Sequence, residues 1–492
     1  MSDQGFELLE TSIADFHGAL RAGRTSCRAL VDGYLDRIAR YDASGPTLKA
    51  ILAVDPQVRA QADAFDARFR ESPDSVGPLH GVPVAMKDNV ATVGMPTTGG
   101  ALALQGAVAR ADATIVARLR EAGALVFTKT NLHELAMSGT TVSSLGGQTL
   151  NPYDLCRTPG GSSGGTGCAL AANLALVGIG TDTGQSVRSP ASALALVGLR
   201  PTRGLISRHG VMATSLTQDE VGPLARRAED AARVLEVIAG YDENDPQTAF
   251  CPPASARRYL EQLDDRAWKG ARIGVLREYF GPDAVHAEVN RVLDGTMQRM
   301  QSLGASLVEV GIAGLDRLVT GVWSPSYEGE ADFDAWLAVF CPDAPVRSLR
   351  EVAADGRFDR SIESSLRRTL DSGGRNAAGY AAVFLMRDRL RRAVCDLMAR
   401  HRLDAILYPH QRRLVVPVGE EQVERNGVLS NATGFPAITF PAGFSTPDAH
   451  APIGVPIGVE LLGREWSEAR LLSFAHAFET AFELRRAPAG MP

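Results

Sequence analysis

The chain has no C-x-x-C pair and only six cysteines in 492 residues: Cys27, Cys156, Cys168, Cys251, Cys341 and Cys395. Scattered in this way, they exclude a disulfide framework and a redox dithiol. They read as small apolar residues of a protein in a reduced, cytoplasmic compartment. H-E-x-x-H is absent, and Cys, His and carboxylate residues nowhere fall at ligand spacing, so no metal and no other cofactor is expected. No uninterrupted apolar stretch approaches the roughly 18 residues of a membrane span. The opening MSDQGFELLETSIADFHGALRAG carries acids and no apolar core, so it does not read as a signal peptide. The balance of 51 Lys and Arg against 57 Asp and Glu gives a net charge of −6, without a basic stripe. A protein that grips nucleic acid needs a concentrated positive face, so neither a nucleic-acid partner nor a membrane is expected.

What the chain has is glycine: 49 residues, clustered rather than periodic. Hydrophobic residues at 45% and charged residues at 22% are ordinary for a globular protein. Length alone suggests roughly three domains, a prior that single α/β enzymes often exceed. Residues 11–41 read as two amphipathic helices separated by Gly23. From about residue 79, short β-branched runs alternate with helical patterns. GVPVAMKD (81–88) and ALVFTKTN (124–131) are strands, TIVARLREAG (114–123) is a helix, and 165–182 is a small-residue helix running into a buried strand. Strands return at 271–281, 403–410 and 435–444, a helix and a strand fill 287–310, and a last helix covers 467–482. Residues 326–402 are largely helical and read as inserted between sheet segments. The alternation predicts a layered α/β fold.

Three stretches carry the chemistry. GIGTDTGQSVRSPAS (178–192) sets Ser186 in a glycine-rich turn behind an apolar run, one residue short of the G-x-S-x-G nucleophile elbow, because Arg188 stands where the second glycine would. TPGGSSGGTG (158–167) holds Ser162 and Ser163 among six consecutive small residues, Gly160 to Gly165. No lysine follows it, so it is not a phosphate loop. GPLHGVPVAMKDN (77–89) ends an apolar strand in Lys87, either a solvated strand end or a desolvated lysine able to act as a base. Nine histidines are present, but none sits in a glycine-framed loop of the kind a Ser-His-Asp triad uses.

GGSSGG (160–165), GTDTG-S-R-PA (180–191) and VGLRPTRGLIS (197–207), with NATGFPAITFPAGF and PIGVELLGR downstream, resemble the amidase signature family from about residue 8 to residue 485. The resemblance implies one domain over 8–485, with a central mixed β-sheet sandwiched between helical layers. It also implies a mostly helical substrate-capping segment at about 311–402. It gives Ser186 as the nucleophile, Ser162 as the bridge behind a cis Gly161–Ser162 bond, and Lys87 as the final base. The N–H groups of Thr183, Gly184, Gln185 and Ser186 become the oxyanion hole, with Ser163, Asp182 and Arg188 as residues that fix these loops. Met137, Ser138 and Gly139 are candidates for the pocket wall. Gln185 departs from the family's usual glycine, and its side chain is either tolerated bulk or a substrate contact.

The leading reading is a free-standing serine hydrolase of aryl or alkyl amides, extending to esters and carbamates (urethanes). It would act on small molecules as a monomer or homodimer. The alternative is an amidotransferase A-type subunit of a multi-subunit, tRNA-dependent complex. A degenerate binding module is disfavoured by intact Lys87, Ser162 and Ser186.

Overall fold

The computed structural model describes residues 6–491. Its strands, in chain order, are β1 (Ile51–Val54), β2 (Pro83–Lys87), β3 (Leu125–Thr130), β4 (Val142–Ser143), β5 (Gly147–Gln148), β6 (Val177–Asp182), β7 (Val197–Arg200), β8 (Glu220–Ala225), β9 (Arg272–Leu276), β10 (Ser306–Val310), β11 (Ala405–Pro409), β12 (Ala437–Phe444) and β13 (Pro456–Leu462). Eleven of them form one sheet in the order β1-β3-β2-β6-β8-β7-β12-β13-β11-β9-β10, and β4 pairs only with β5. Pairing is mixed: β3-β2-β6 and β11-β9-β10 are parallel, while β6-β8-β7-β12-β13-β11 runs antiparallel.

Helices cover the sheet. Gly164–Ala171 lies against β2, β6 and β8, Arg188–Ala193 against β7, β12 and β13, and Ala287–Ser302 and Glu468–Phe482 against β12. The expected α/β architecture, a mixed sheet between helical layers, is therefore the one observed. The two N-terminal helices are Ile13–Arg21 and Cys27–Arg37, each opened by a serine cap, Ser12 and Ser26.

The small-residue composition of GGTGCALA has a geometric purpose. Every residue of helix Gly164–Ala171 is buried, and the helix rides so close to the sheet that a Cβ on Gly178 of β6 would collide with the Thr166 methyl. This approach holds the GGSSG turn over the carboxyl ends of β2 and β6. Those two strands are parallel, with Met86 opposite Ile179, so Lys87 and the β6 terminus emerge side by side. Strand ends of this kind are where open α/β sheets place ligands.

Between β10 and β11 the chain makes helices Leu315–Leu318, Pro325–Phe340, Leu349–Asp355, Glu363–Leu370 and Ala378–Arg400. Phe333, Trp336, Leu337 and Phe340 of the second are buried, as are Val352 and Leu366 of its neighbours. Burial of several such side chains, at ~25 cal/mol per Å² of apolar surface, fixes these helices against one another.

Candidate active site

Lys87 is fully buried at the end of β2. Its Nζ lies 2.7 Å from Ser162 Oγ and 2.7 Å from Thr181 Oγ1, with the Thr181 carbonyl at 3.4 Å. Desolvation pulls its pKa down to about 7, and the negative charges of Asp182 and Asp219 oppose the shift only in part. Near neutrality, then, a large fraction of Lys87 is an amine. In that form its two N–H bonds serve Thr181 and its lone pair can accept the Ser162 hydroxyl. Asp88, the next residue, points the other way, as strand alternation requires. It accepts from the Thr98 N–H at 3.0 Å and faces Lys129 Nζ at 3.4 Å.

The peptide bond Gly161–Ser162 is cis. A Cβ on Gly161 would stand 2.8 Å from the Gly139 carbonyl carbon, so the turn closes on another loop rather than leaving a gap. The Ser162 carbonyl accepts from the His133 N–H at 3.0 Å, and the Ser163 N–H donates to the Ser186 carbonyl at 3.1 Å. Ser163 Oγ also donates to the Thr181 carbonyl at 3.2 Å. Ser163 thus joins the lysine, cis-peptide and Ser186 loops.

The loop 182–186 presents its amides because its carbonyls are held from behind. Arg200 Nη1 donates to the Asp182 carbonyl, and Gln218 Nε2 donates to that of Thr183 at 3.0 Å. The Gly184 carbonyl accepts from Arg188 Nη2 at 2.8 Å and from Asn431 Nδ2 at 2.9 Å. The Gln185 carbonyl takes the Ser189 N–H at 2.7 Å. Among the described residues, the N–H groups of Thr183, Gly184, Gln185 and Ser186 have no protein partner. All four residues line one cavity. A run of unpaired amides in residues that line a cavity can receive an oxyanion.

Asp182 and Arg188 form a buried charge network beneath this loop. Asp182 meets Arg188 Nε at 3.1 Å and Arg200 Nη1 at 3.0 Å, and Arg188 Nη1 meets Glu460 at 2.5 Å. Burial alone would raise the Asp182 pKa, but the two guanidinium groups outweigh it and hold the carboxyl well below the usual range. Removing one partner of such a network leaves buried charge uncompensated, which costs about 3–5 kcal/mol. Asp182→Ala is therefore expected to lower the urea midpoint of unfolding by a large fraction of total stability. An unchanged midpoint would show that the network is not structural.

The cavity is about 270 Å³. Met137 and Ser138 line it, while Gly139 is not among its lining residues and its Cβ position is filled by the Arg425 guanidinium. The chain between β10 and β11 supplies Trp323, which precedes helix Pro325–Phe340, together with Phe333 and Arg368 from its helices, to the wall. The Trp323 indole sits 3.5 Å from where a Gly184 Cβ would be. No histidine bonds Ser186 among the described residues, and buried His133 is engaged through Nδ1 with the Thr140 N–H at 3.1 Å. No group of three or more His, Cys, Asp or Glu is placed to hold a metal ion among the described residues.

Sequence reading missed Thr181, Gln218, Arg425 and the roles of Arg200 and Asn431. The last two lie inside VGLRPTRGLIS and NATGFPAITFPAGF, so the motif contained them without saying what they hold.

The family model described as Amidase matches residues 29–472, and the chain belongs to the amidase family. It is 35% identical to the A-type subunit of the glutamyl-tRNA(Gln) amidotransferase of Halorhodospira halophila, across 96% of this chain and 97% of that relative. The native peptide amidase of Stenotrophomonas maltophilia superposes with a TM-score of 0.87 at 33% identity, covering 98% of this chain and 99% of its own. The A-type subunit of the Thermotoga maritima glutamyl-tRNA(Gln) amidotransferase superposes with a TM-score of 0.74 at 26% identity, covering 98% of both chains.

These relatives correct the expectation of a monomer or homodimer that meets only small amides or carbamates and no nucleic acid. Curated relatives spanning nearly the whole chain are named as one subunit of an enzyme acting with tRNA. Net charge reports only on phosphate contacts made by this chain's own surface, and one member of a complex can leave those contacts to a neighbour. Among the described residues no helix is long and apolar enough to cross a membrane.

Proposed function

We propose that this chain cleaves the C–N bond of linear amides through an acyl-enzyme on Ser186, and that it does so as the amide-cleaving subunit of a tRNA-dependent amidotransferase. The observation that carries the chemistry is the 2.7 Å contact between buried Lys87 and Ser162, at a pKa of about 7. The 35% identity to an amidotransferase A-type subunit over 96% of the chain supports the assembly. Six free cysteines fit a reduced, cytoplasmic setting.

In this reading the Ser186 hydroxyl turns onto Ser162 as substrate enters. Neutral Lys87 takes the Ser162 proton while Ser162 takes that of Ser186, and Ser186 Oγ bonds to the carbonyl carbon. The oxyanion settles on the N–H groups of Thr183 to Ser186, each such donor contributing about 3–4 kcal/mol. The C–N bond breaks as the relay returns the proton to the departing nitrogen. Water, deprotonated by the same relay, then releases the acid. Esters and carbamates would follow the same path. Trp323, and Phe333 with its helix, cap the acyl group.

A second reading, cleavage of peptide amides, is favoured by the higher TM-score to peptide amidase, 0.87 against 0.74. Ammonia release separates the two. The chain is assayed on glutamine, alone and with the remaining subunits of a bacterial glutamyl-tRNA(Gln) amidotransferase and glutamyl-tRNA(Gln), and in parallel on a peptide carboxamide. Glutamine cleavage stimulated by the added components is the expected result. Rapid cleavage of the peptide amide by the chain alone, unaffected by those components, contradicts the assembly.

A further inference from the structure

One of the helices between β10 and β11 is tied to the loop of unpaired amides through a single glutamine. Helix Ala378–Arg400 carries Arg387, which is buried. Its Nε donates to the Val322 carbonyl at 2.9 Å, and its Nη1 to the Thr217 carbonyl and hydroxyl, each at 3.2 Å. Its Nη2 donates to Ser324 Oγ at 2.7 Å and to Gln218 Oε1. Desolvation lowers the guanidinium pKa to about 10, so Arg387 stays a cation near neutrality.

A glutamine amide has one accepting end and one donating end, whereas a guanidinium only donates. Gln218 therefore turns Oε1 toward Arg387, and the Ser324 hydroxyl approaches the same oxygen at 3.3 Å. That leaves Nε2 to donate to the Thr183 carbonyl at 3.0 Å. The carbonyl and the N–H of a trans peptide unit point opposite ways. Holding the Thr183 carbonyl on Gln218 thus turns the Gly184 N–H away from Gln218. Gly184 lines the cavity, and among the described residues its N–H has no protein partner. A reversed Gln218 amide would set its oxygen against the Thr183 carbonyl and its NH2 against the guanidinium, repelling both.

We infer that Arg387 is a positioning residue for the oxyanion amides. By fixing which end of the Gln218 amide meets the Thr183 carbonyl, it aims the Gly184 N–H into the cavity, at the oxygen of the reacting carbonyl. The kinetic arm of the test rests on the Ser186 reading above, and the crystallographic arm does not.

Gln218→Glu separates the two ends of the amide, since glutamate still accepts from Arg387 but has no N–H for Thr183. Acylation and deacylation both pass through an oxyanion, so on p-nitrophenyl butyrate this variant should lower kcat and leave KM nearly unchanged. Removing one oxyanion donor costs about 10²–10³ in kcat, and a misaimed donor should cost about tenfold to a hundredfold. The affinity of butaneboronic acid, whose adduct with Ser186 is tetrahedral, should fall by a similar factor. Arg387→Lys keeps a donor for Gln218 Oε1 and should retain more kcat than Arg387→Met. Arg387→Met/Gln218→Met should lose no more than Gln218→Met alone, as two residues acting in series require. Arg389→Met, at an exposed position of the same helix, should match the wild type. The rise of kcat/KM with pH near 7 should stay in place throughout, because Lys87 keeps its partners. In parallel, crystal structures of the wild type and Gln218→Glu should show the Thr183–Gly184 peptide rotated in the variant.

Wild-type kcat in Gln218→Glu, a raised KM with kcat unchanged, or an unmoved Thr183–Gly184 peptide would overturn the inference. If the wild type neither hydrolyses the ester nor binds the boronate, the Ser186 reading fails. Rotation of that peptide in Gln218→Glu would still support the positioning, and an unmoved peptide would still end it.

Discussion

Ser186→Ala is expected to lose at least about four orders of magnitude in kcat while its unfolding midpoint stays within experimental error of the wild type. The size follows from Ser186 Oγ being the only proposed attacking atom, so that what remains comes from substrate binding and the oxyanion amides. The intact fold follows from the structure. What Ser186 gives to its neighbours is backbone, the carbonyl that accepts from Ser163, and alanine keeps it. An active Ser186→Ala protein, prepared in a host lacking its own amidases, would end the nucleophile assignment.

The second large effect is on Lys87. Wild-type kcat/KM should rise with pH along a limb centred near 7, where the buried lysine loses its proton, and remain high into the alkaline range. The sign is fixed by the form that works. The amine accepts a proton from Ser162 and the ammonium cannot, so activity falls as pH drops below that value. Lys87→Ala should lose several orders of magnitude, since general-base assistance contributes about 10²–10⁴ and the hydrogen-bonded bridge is lost with it. Lys87→Arg should not restore activity, because a guanidinium stays protonated. A limb near 10, or an active arginine variant, would mean that Lys87 is solvated or that another group activates Ser186.

The sheet and its flanking helices were legible wherever local pattern and final environment agree. VPVAM read as a buried strand and is one, and the GGSSGG turn read as a rigid setting before a helix and holds one. β8 was not legible, because Gly222 and Pro223 interrupt EVGPLA with residues that normally break a strand. The strand survives because its pairing with β7 reaches only Leu224 and Ala225, so that Pro223 has no partner on that side.

The proposed catalytic trio could be placed because the motif carries those residues at characteristic spacing. The supports could not. Gly184 is held by Asn431, 247 residues away, and Gln185 by Arg425, and no periodicity encodes such pairs. Gln185 also shows how a local departure is explained by a distant one. With its amide oxygen turned toward Arg425, its side chain meets that half-buried guanidinium at 2.7 Å. The question of partners was outside composition altogether, since the charge of one chain in a complex says little about what its neighbours bind.

The attacking residue is tested most directly by trapping the acyl-enzyme. The wild type and Ser186→Ala are mixed with excess p-nitrophenyl butyrate, quenched in acid within the first turnovers, and read by intact and fragment mass spectrometry. The wild type should carry one butyryl group, placed on Ser186 by fragmentation, and Ser186→Ala should carry none. A butyryl group on another residue, or p-nitrophenol released at the wild-type rate by Ser186→Ala, would contradict the Lys87–Ser162–Ser186 assignment.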